Sequence, residues 1–353
     1  MFADGGYSPE AQIAFGAVAV LAFRRVALEP VFVVLAGLAA LGAMSALWTI
    51  GPVDRTLRWA LVCAGYAAVF AAAATIARRR DGVRLLAGAV GVLAFGAGLA
   101  GLVAALLDAR PYALPIGGEW RPAGPFEYPP ALALLEVSAL PVFMAARSRL
   151  PGLVVALAVI GLSGSRIALA LAVAVIGLEF ARRRGRLAIA AVLLAALLAG
   201  IFAFGAAAGR DAYGPASSFL HGRERTWHAA LETFADRPLQ GTGADAFLAG
   251  SARHQDGETV VFAHNLPLEL AAELGIAGAA LALALYAATA RSLWRARHTE
   301  AARLLGPAAA AFLVASLVDW PWHLAGSGAV WALGAGALTA AAKVSSPQSK
   351  ETL

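Results

Sequence analysis

Long apolar runs separated by short polar turns dominate this chain. They occupy 11–23, 30–50, 57–77, 85–107, 128–146, 150–163, 166–181, 187–208, 266–290, 304–318 and 324–342. A membrane-crossing helix needs about 20 mostly apolar residues. The runs therefore predict about eleven transmembrane helices, three or four of them short. Ser163-Gly164-Ser165-Arg166 interrupts two of the runs with a polar, flexible turn, so two short helices meeting at a membrane face are expected there.

The pattern changes between Gly209 and Asn265, a polar insert holding four of the chain's six histidines. Inside it Trp227, Ala230, Leu231 and Phe234 recur at helical spacing, while Glu224, His228, Glu232 and Asp236 fall off that stripe. Such a pattern predicts a short amphipathic helix lying on the membrane surface. No repeat of the 20–50-residue kind is present. The fold class expected is an all-α polytopic membrane protein: one membrane domain over 1–353, a large partly helical loop at 209–265 and a disordered tail at 343–353.

Composition supports spans over a water-soluble core. Hydrophobic residues make up 60% and charged residues 14%, against about 45–50% and about 25% in globular proteins. A single cysteine, Cys63, lies in an apolar run and excludes a disulfide framework or a multi-thiolate metal site. The net charge of +6 falls in short clusters between spans, so nucleic acid is not an expected partner. Met1 to Glu10 has no basic n-region, and no cleaved signal peptide is expected. Taking alternate turns, the larger share of the 28 lysines and arginines falls on the side of Arg78–Arg80, Arg147, Arg182–Arg184 and Arg291. That side is read as cytoplasmic. The insert, the 108–127 loop, the Arg166 turn and Asp319 to His323 then share the outer face, periplasmic in a Gram-negative cell, with the 343–353 tail inside.

The outer face carries the candidate chemistry. Arg166 opens a span directly after Gly-Ser, where a guanidinium is either a phosphate ligand or an interfacial arginine reaching for headgroups. Arg223 and Arg225 flank Glu224 at the start of the amphipathic helix, and form either part of a diphosphate site or a solvated charged loop. His264, in Ala263-His264-Asn265-Leu266, is either a proton acceptor at the membrane surface or a structural helix cap. Glu269 and Glu273 share a helix face one turn apart, and either orient the imidazole, meet an acceptor hydroxyl or line the bundle. Gly241-Thr242-Gly243 lacks the context of a dinucleotide site and reads as a tight turn. No metal-binding motif is present, and neither a metal nor a cofactor is expected.

Together, Gly222-Arg223 with Trp227, Asp236-Arg237-Pro238-Leu239-Gln240-Gly241-Thr242-Gly243, and Ala263-His264-Asn265 leading into Leu268-Glu269 and Glu273-Leu274-Gly275 resemble the O-antigen ligase and polymerase superfamily. Gly164-Ser165-Arg166 is similar to its short arginine motif, and Gly124-Pro125-Phe126-Glu127-Tyr128-Pro129-Pro130 to its segment before a middle span, with Pro130 where asparagine is usual. The likeness runs in order from about Ser45 to Trp331. It implies a GT-C-type glycosyltransferase that moves a glycan from undecaprenyl diphosphate to an acceptor hydroxyl, with Arg166 and Arg223 at the donor diphosphate and His264 at the acceptor. Arg225, near Arg223 at the helix start, is expected to join the diphosphate site. Asn265, Glu269, Glu273, Trp227, Gly241 and Gly243 would support the site. A ligase acting on lipid A-core at the periplasmic face of the bacterial inner membrane is the leading expectation. A polymerase of the lipid-linked glycan and a protein O-oligosaccharyltransferase are the alternatives within the superfamily. A transporter or flippase is the alternative outside it, although polarity here concentrates outside the bilayer and not at its midplane.

Overall fold

The computed structural model describes residues 7–21, 28–184, 223–255 and 259–344. Its helices are α1 (Pro9–Leu21), α2 (Pro30–Ser45), α3 (Val53–Ala77), α4 (Gly82–Leu106), α5 (Pro129–Ala145), α6 (Leu150–Leu162), α7 (Arg166–Arg184), α8 (Arg223–Asp236), α9 (Phe247–Ser251), α10 (Leu266–Ala296), α11 (Glu300–Leu304), α12 (Gly306–Ala315) and α13 (Ala325–Val344). A two-stranded antiparallel hairpin, β1 (Ala113–Ile116) and β2 (Glu119–Pro122), follows α4. Helix covers every expected apolar run except 187–208, which lies outside the described residues, as do 209–222 of the insert and 345–353 of the tail. Among the described residues α3, α4, α10 and α13 are long and apolar enough to cross a membrane, while α2, α5, α6 and α12 are apolar but shorter. The expected count of about eleven crossings extends beyond those four.

Large apolar side chains remain exposed along the bundle, among them Leu85, Val92, Leu93, Val154 and Leu283. Lipid tails are as apolar as these side chains, so burying them gains little, and helix association rests on close packing and polar contacts. α3 is the hub, packing against α1, α2 and α13. Small residues let the backbones approach: a Cβ on Gly328 would overlap the Tyr66 ring, and one on Gly336 the Phe70 carbonyl. Tyr66 donates its buried hydroxyl to the Trp322 carbonyl at 2.7 Å, fixing α3 to the turn before α13.

The two ends of the bundle differ in how their charges are used. At one end ion pairs staple helices together: Arg303 to Glu179, Arg84 to Glu300, and Lys343 to Glu29. At the other end α8, α9 and the 319–323 turn gather around the start of α10, and the hairpin lies against α4, α5 and α6.

That start is shaped by a break at Gly275, whose φ of +64° and ψ of −154° suit glycine alone. A break frees carbonyls that an unbroken helix would use. Those of Ala272 and Glu273 accept the backbone N–H groups of Thr242 (3.2 Å) and Gly243 (2.8 Å), and Ile276 donates to Pro238 at 2.8 Å. Gly241-Thr242-Gly243 is the tight turn expected from sequence, with φ of +69° and +100° at its glycines. It runs so close to α10 that a Cβ on Gly241 would overlap the Glu273 carbonyl.

α8 forms where the amphipathic helix is expected, but its buried face is Thr226, Ala229, Ala230 and Thr233, and Leu231 is 52% exposed. The helix lies against the first turns of α10, with Ala230 packed near Phe247, Ala263 and Ala272. Small side chains permit that approach, and the bulky Leu231 is turned away.

Candidate functional site

The 238–246 loop held by the α10 break presents Asp245, and Asp245 begins a buried chain of charges. Arg55, on the first turn of α3, grips its carboxylate with two hydrogen bonds of 3.0 Å. Asp245 Oδ1 lies 3.8 Å from Nδ1 of His323, and the other ring nitrogen of His323 pairs with Glu269 Oε1. Glu269 Oε2 accepts the Ala263 N–H at 2.7 Å, immediately before His264. Glu273 accepts the N–H groups of Asp245 and Phe247, each at 2.9 Å. Both glutamates of α10 thus hold loop backbone, and Glu269 also pairs with His323. Among the described residues neither makes a hydrogen bond or ion pair with the His264 ring. Phe262 stacks on His323 at 3.9 Å between centroids and on Trp320 at 5.0 Å, closing the chain off from the outside.

His323 is buried. Burial alone would strip its proton, yet the Glu269 carboxylate, assisted by Asp245, raises its pKa above the ordinary histidine value. The charged imidazole completes a row of alternating signs, Arg55, Asp245, His323 and Glu269, that joins α3, the loop, α10 and the 319–323 turn. Removing one member of such a row leaves a buried charge uncompensated, at a cost of about 3–5 kcal/mol.

His264 sits at the end of this frame in a left-handed backbone conformation, φ +52°. Histidine is among the few residues that enter this region with some frequency. Here the neighbours impose it: Asn265 caps α10 by accepting the Leu268 N–H at 3.1 Å and donates to the Leu317 carbonyl at 3.0 Å, while Leu266 donates to the Ser316 carbonyl at 2.8 Å. The ring's Nδ1 edge is buried and makes no hydrogen bond among the described residues, with Asp319 Oδ1 3.5 Å away. Its side chain keeps 23% of its surface exposed, so the Nε2 edge is the open one. Asp319 in turn accepts the Tyr128 hydroxyl and the Trp320 N–H, both at 2.9 Å. A carboxylate fixed beside Nδ1 favours the tautomer with a proton there and leaves Nε2 free to accept one.

Beside Tyr128 and Asp319 lies a small cavity of about 10 Å³, bounded by Pro130, Ile167, Ala168 and Pro321. Ile167 and Ala168 belong to the first turn of α7, directly after Arg166, so the cavity joins the Arg166 turn to the Asp319 pair. Arg223, half-buried at the first position of α8, lies close enough for its charge to act on Tyr128. Arg225 is exposed on the same turn, and Trp227 is half-buried with its indole N–H enclosed and unbonded among the described residues. The fold therefore brings Arg166 and Arg223 towards the residues that surround His264, with Arg225 further out. Among the described residues no group of three or more His, Cys, Asp or Glu side chains is arranged to hold a metal ion.

Asp319, Tyr128, His323, Asp245 and Arg55 were not singled out from the sequence. The signal available was polarity out of place: Asp319 and His323 interrupt an apolar stretch between α12 and α13, on the face already assigned to the histidine.

Comparison with known proteins agrees with the motifs. Residues 151–283 match a family described as O-antigen ligase. The matched stretch contains Arg166, Arg223, Arg225, Gly241, Gly243, His264, Glu269 and Glu273, and bears out the resemblance to the O-antigen ligase and polymerase superfamily. The family implies a glycosyltransferase-like ligase or polymerase working on glycans in a membrane. No curated protein matches the chain.

Proposed function

We propose, from an O-antigen ligase region at residues 151–283, that this protein transfers a glycan from undecaprenyl diphosphate to an acceptor hydroxyl, that of lipid A-core, at the periplasmic face of the inner membrane. The observation that carries the reading is the His264–Asp319 pair, with a buried Nδ1 edge and an open ring, beside the cavity at the α7 turn.

In this reading the acceptor oxygen attacks the anomeric carbon of the lipid-linked sugar. The bond from that carbon to the diphosphate oxygen breaks, and the electron pair leaves with undecaprenyl diphosphate. His264 Nε2 takes the hydroxyl proton, and the resulting imidazolium is stabilised through Nδ1 by Asp319. Proton removal of this kind supplies about 10²–10⁴-fold in rate. Arg166 and Arg223, with Arg225 at the mouth, stabilise the charge that grows on the departing diphosphate more than they stabilise the bound donor, which is what accelerates the step. Trp227 and the Asn265 cap hold the first turns of α8 and α10 around the site.

A strain lacking the protein tests this. Loss of the lipopolysaccharide ladder, with long undecaprenyl-linked chains accumulating, supports the ligase. Accumulation of single repeat units assigns a polymerase instead, and no change in either pool overturns the reading.

A further inference from the structure

The hairpin between α4 and α5 brings a further arginine to the same end of the bundle. Arg121 lies on β2, opposite Leu114 across the register. The strand is anchored where Ala123 and Gly124 both donate to the Tyr112 carbonyl, at 2.9 and 2.8 Å. From there the Arg121 side chain reaches across to the turn before α7. A Cβ built on Gly164 would overlap Arg121 Nη1, with Cζ 2.8 Å and Nε 3.4 Å from it, so the guanidinium covers the space that any other side chain at Gly164 would fill. Gly164 has a φ of +71°, and the turn is self-contained: Ser163 Oγ accepts the Ser165 N–H at 3.1 Å, and Ser165 Oγ accepts that of Ala168 at 3.3 Å. It offers Arg121 a surface and no counter-charge.

Among the described residues no carboxylate pairs with Arg121, although it is half-buried. Two residues after Gly164 comes Arg166, so its Cα lies within about 7 Å of the Gly164 Cα against which the Arg121 head rests. Both guanidinium groups are positive, and a doubly charged anion reached by the two would be attracted by each. A half-buried arginine held by shape against a glycine, next to the arginine that opens α7 and one helical turn from the cavity, is placed to receive such an anion.

We infer that Arg121 is a donor-binding residue, its guanidinium taking diphosphate oxygens of the lipid-linked donor alongside Arg166. The inference rests on the proposed function and adds a residue from outside the 151–283 region. Like Arg166, it would engage the diphosphate more strongly as charge grows on it, so its loss weakens donor binding and also slows turnover of bound donor.

The test is steady-state transfer by wild type, Arg121→Lys and Arg121→Gln in nanodiscs, with donor concentration varied, together with binding of farnesyl diphosphate and farnesyl monophosphate as short probes. The expected result is a donor KM raised about tenfold or more in Arg121→Gln, with kcat lowered as well, smaller changes in Arg121→Lys, and loss of the preference for diphosphate over monophosphate. Unchanged donor KM and probe preference in both variants, with wild-type transfer intact, overturns the role of Arg121 and leaves the proposed function standing. Wild type that transfers nothing removes the proposed function, and the Arg121 role with it. Repeating the measurement in nanodiscs with and without anionic lipid separates the remaining source: a defect that appears only with anionic lipid assigns Arg121 to phospholipid headgroups and overturns the donor role.

Discussion

Asp319 holds an oxygen 3.5 Å from Nδ1 of His264 while the same oxygen accepts the Tyr128 hydroxyl at 2.9 Å. The carboxylate is thereby fixed by a residue from the start of α5 and aimed at a ring from the start of α10. At 3.5 Å the carboxylate and the ring are an ion-pair distance apart without a hydrogen bond, and catalytic hydrogen bonds commonly form or tighten only when substrate closes the site.

Replacing Asp319 with asparagine keeps the shape and removes the charge that stabilises an imidazolium. Transfer should fall about 10²-fold or more, with the protein present in the membrane at the normal level. Tyr128→Phe, which frees Asp319 from one partner, should show a smaller loss. Transfer by Asp319→Asn within twofold of wild type would remove the carboxylate from the chemistry.

His323 gives the fold a pH dependence. Its folded-state pKa is raised, whereas an unfolded imidazole titrates near about 6.5. Its contribution to stability is therefore complete below about pH 6.5 and is lost as pH rises through the higher folded value. Thermal unfolding in detergent should show His323→Gln destabilised by about 3 kcal/mol or more at low pH, with the gap to wild type closing as pH rises. A gap that is constant across that range contradicts the charged assignment.

Gly275 controls where the 238–246 loop sits. Alanine there would bring a Cβ against the Leu239 and Pro238 carbonyls, in a conformation that L side chains rarely adopt. Gly275→Ala should lower stability by about 1–3 kcal/mol from strain alone, and activity should fall with it because Asp245 loses its position. Gly88→Ala, in α4 with nothing within 4 Å of the new methyl group, should be silent. Comparing membrane levels and melting of the two variants checks the claim, and equal behaviour would refute it.

Much of the fold was legible in the sequence because a span is a local property: about 20 apolar residues in a row need no partner to be recognised. The turn at Gly241-Thr242-Gly243 and the helix at Arg223 were legible for the same reason. Asp319 and Tyr128, 191 residues apart, and Arg55 and Asp245, 190 apart, were not. Each pair is made by the bundle bringing distant turns to one end, and nothing within a few residues of either partner announces the other. Glu269 and Glu273 fall between these cases. Their common face follows from helical spacing, but their acceptance of loop N–H groups depends on the break at Gly275. Leu231 shows the converse: a helical stripe names a face, and the packing of α8 on α10 decides which residues of it are covered.

Arg166 is expected to act as a planar fork. Lysine at this position keeps one charge and loses the paired donors that match a phosphate. Arg166→Lys should bind donor more weakly and transfer at a small fraction of the wild-type rate, measured with the lipid-linked substrate in nanodiscs. Wild-type donor affinity in that variant would count against a diphosphate at the α7 turn.

The most direct test of the central claim is reconstituted transfer with purified protein, an undecaprenyl-diphosphate-linked glycan and lipid A-core, comparing wild type with His264→Asn. Asparagine tolerates the left-handed backbone at this position, so the frame around residue 264 survives while the proton acceptor is removed. The account predicts glycan on lipid A-core with wild type and a rate at least about 10²-fold lower with His264→Asn, the two proteins melting alike. Transfer by His264→Asn at the wild-type rate would contradict it.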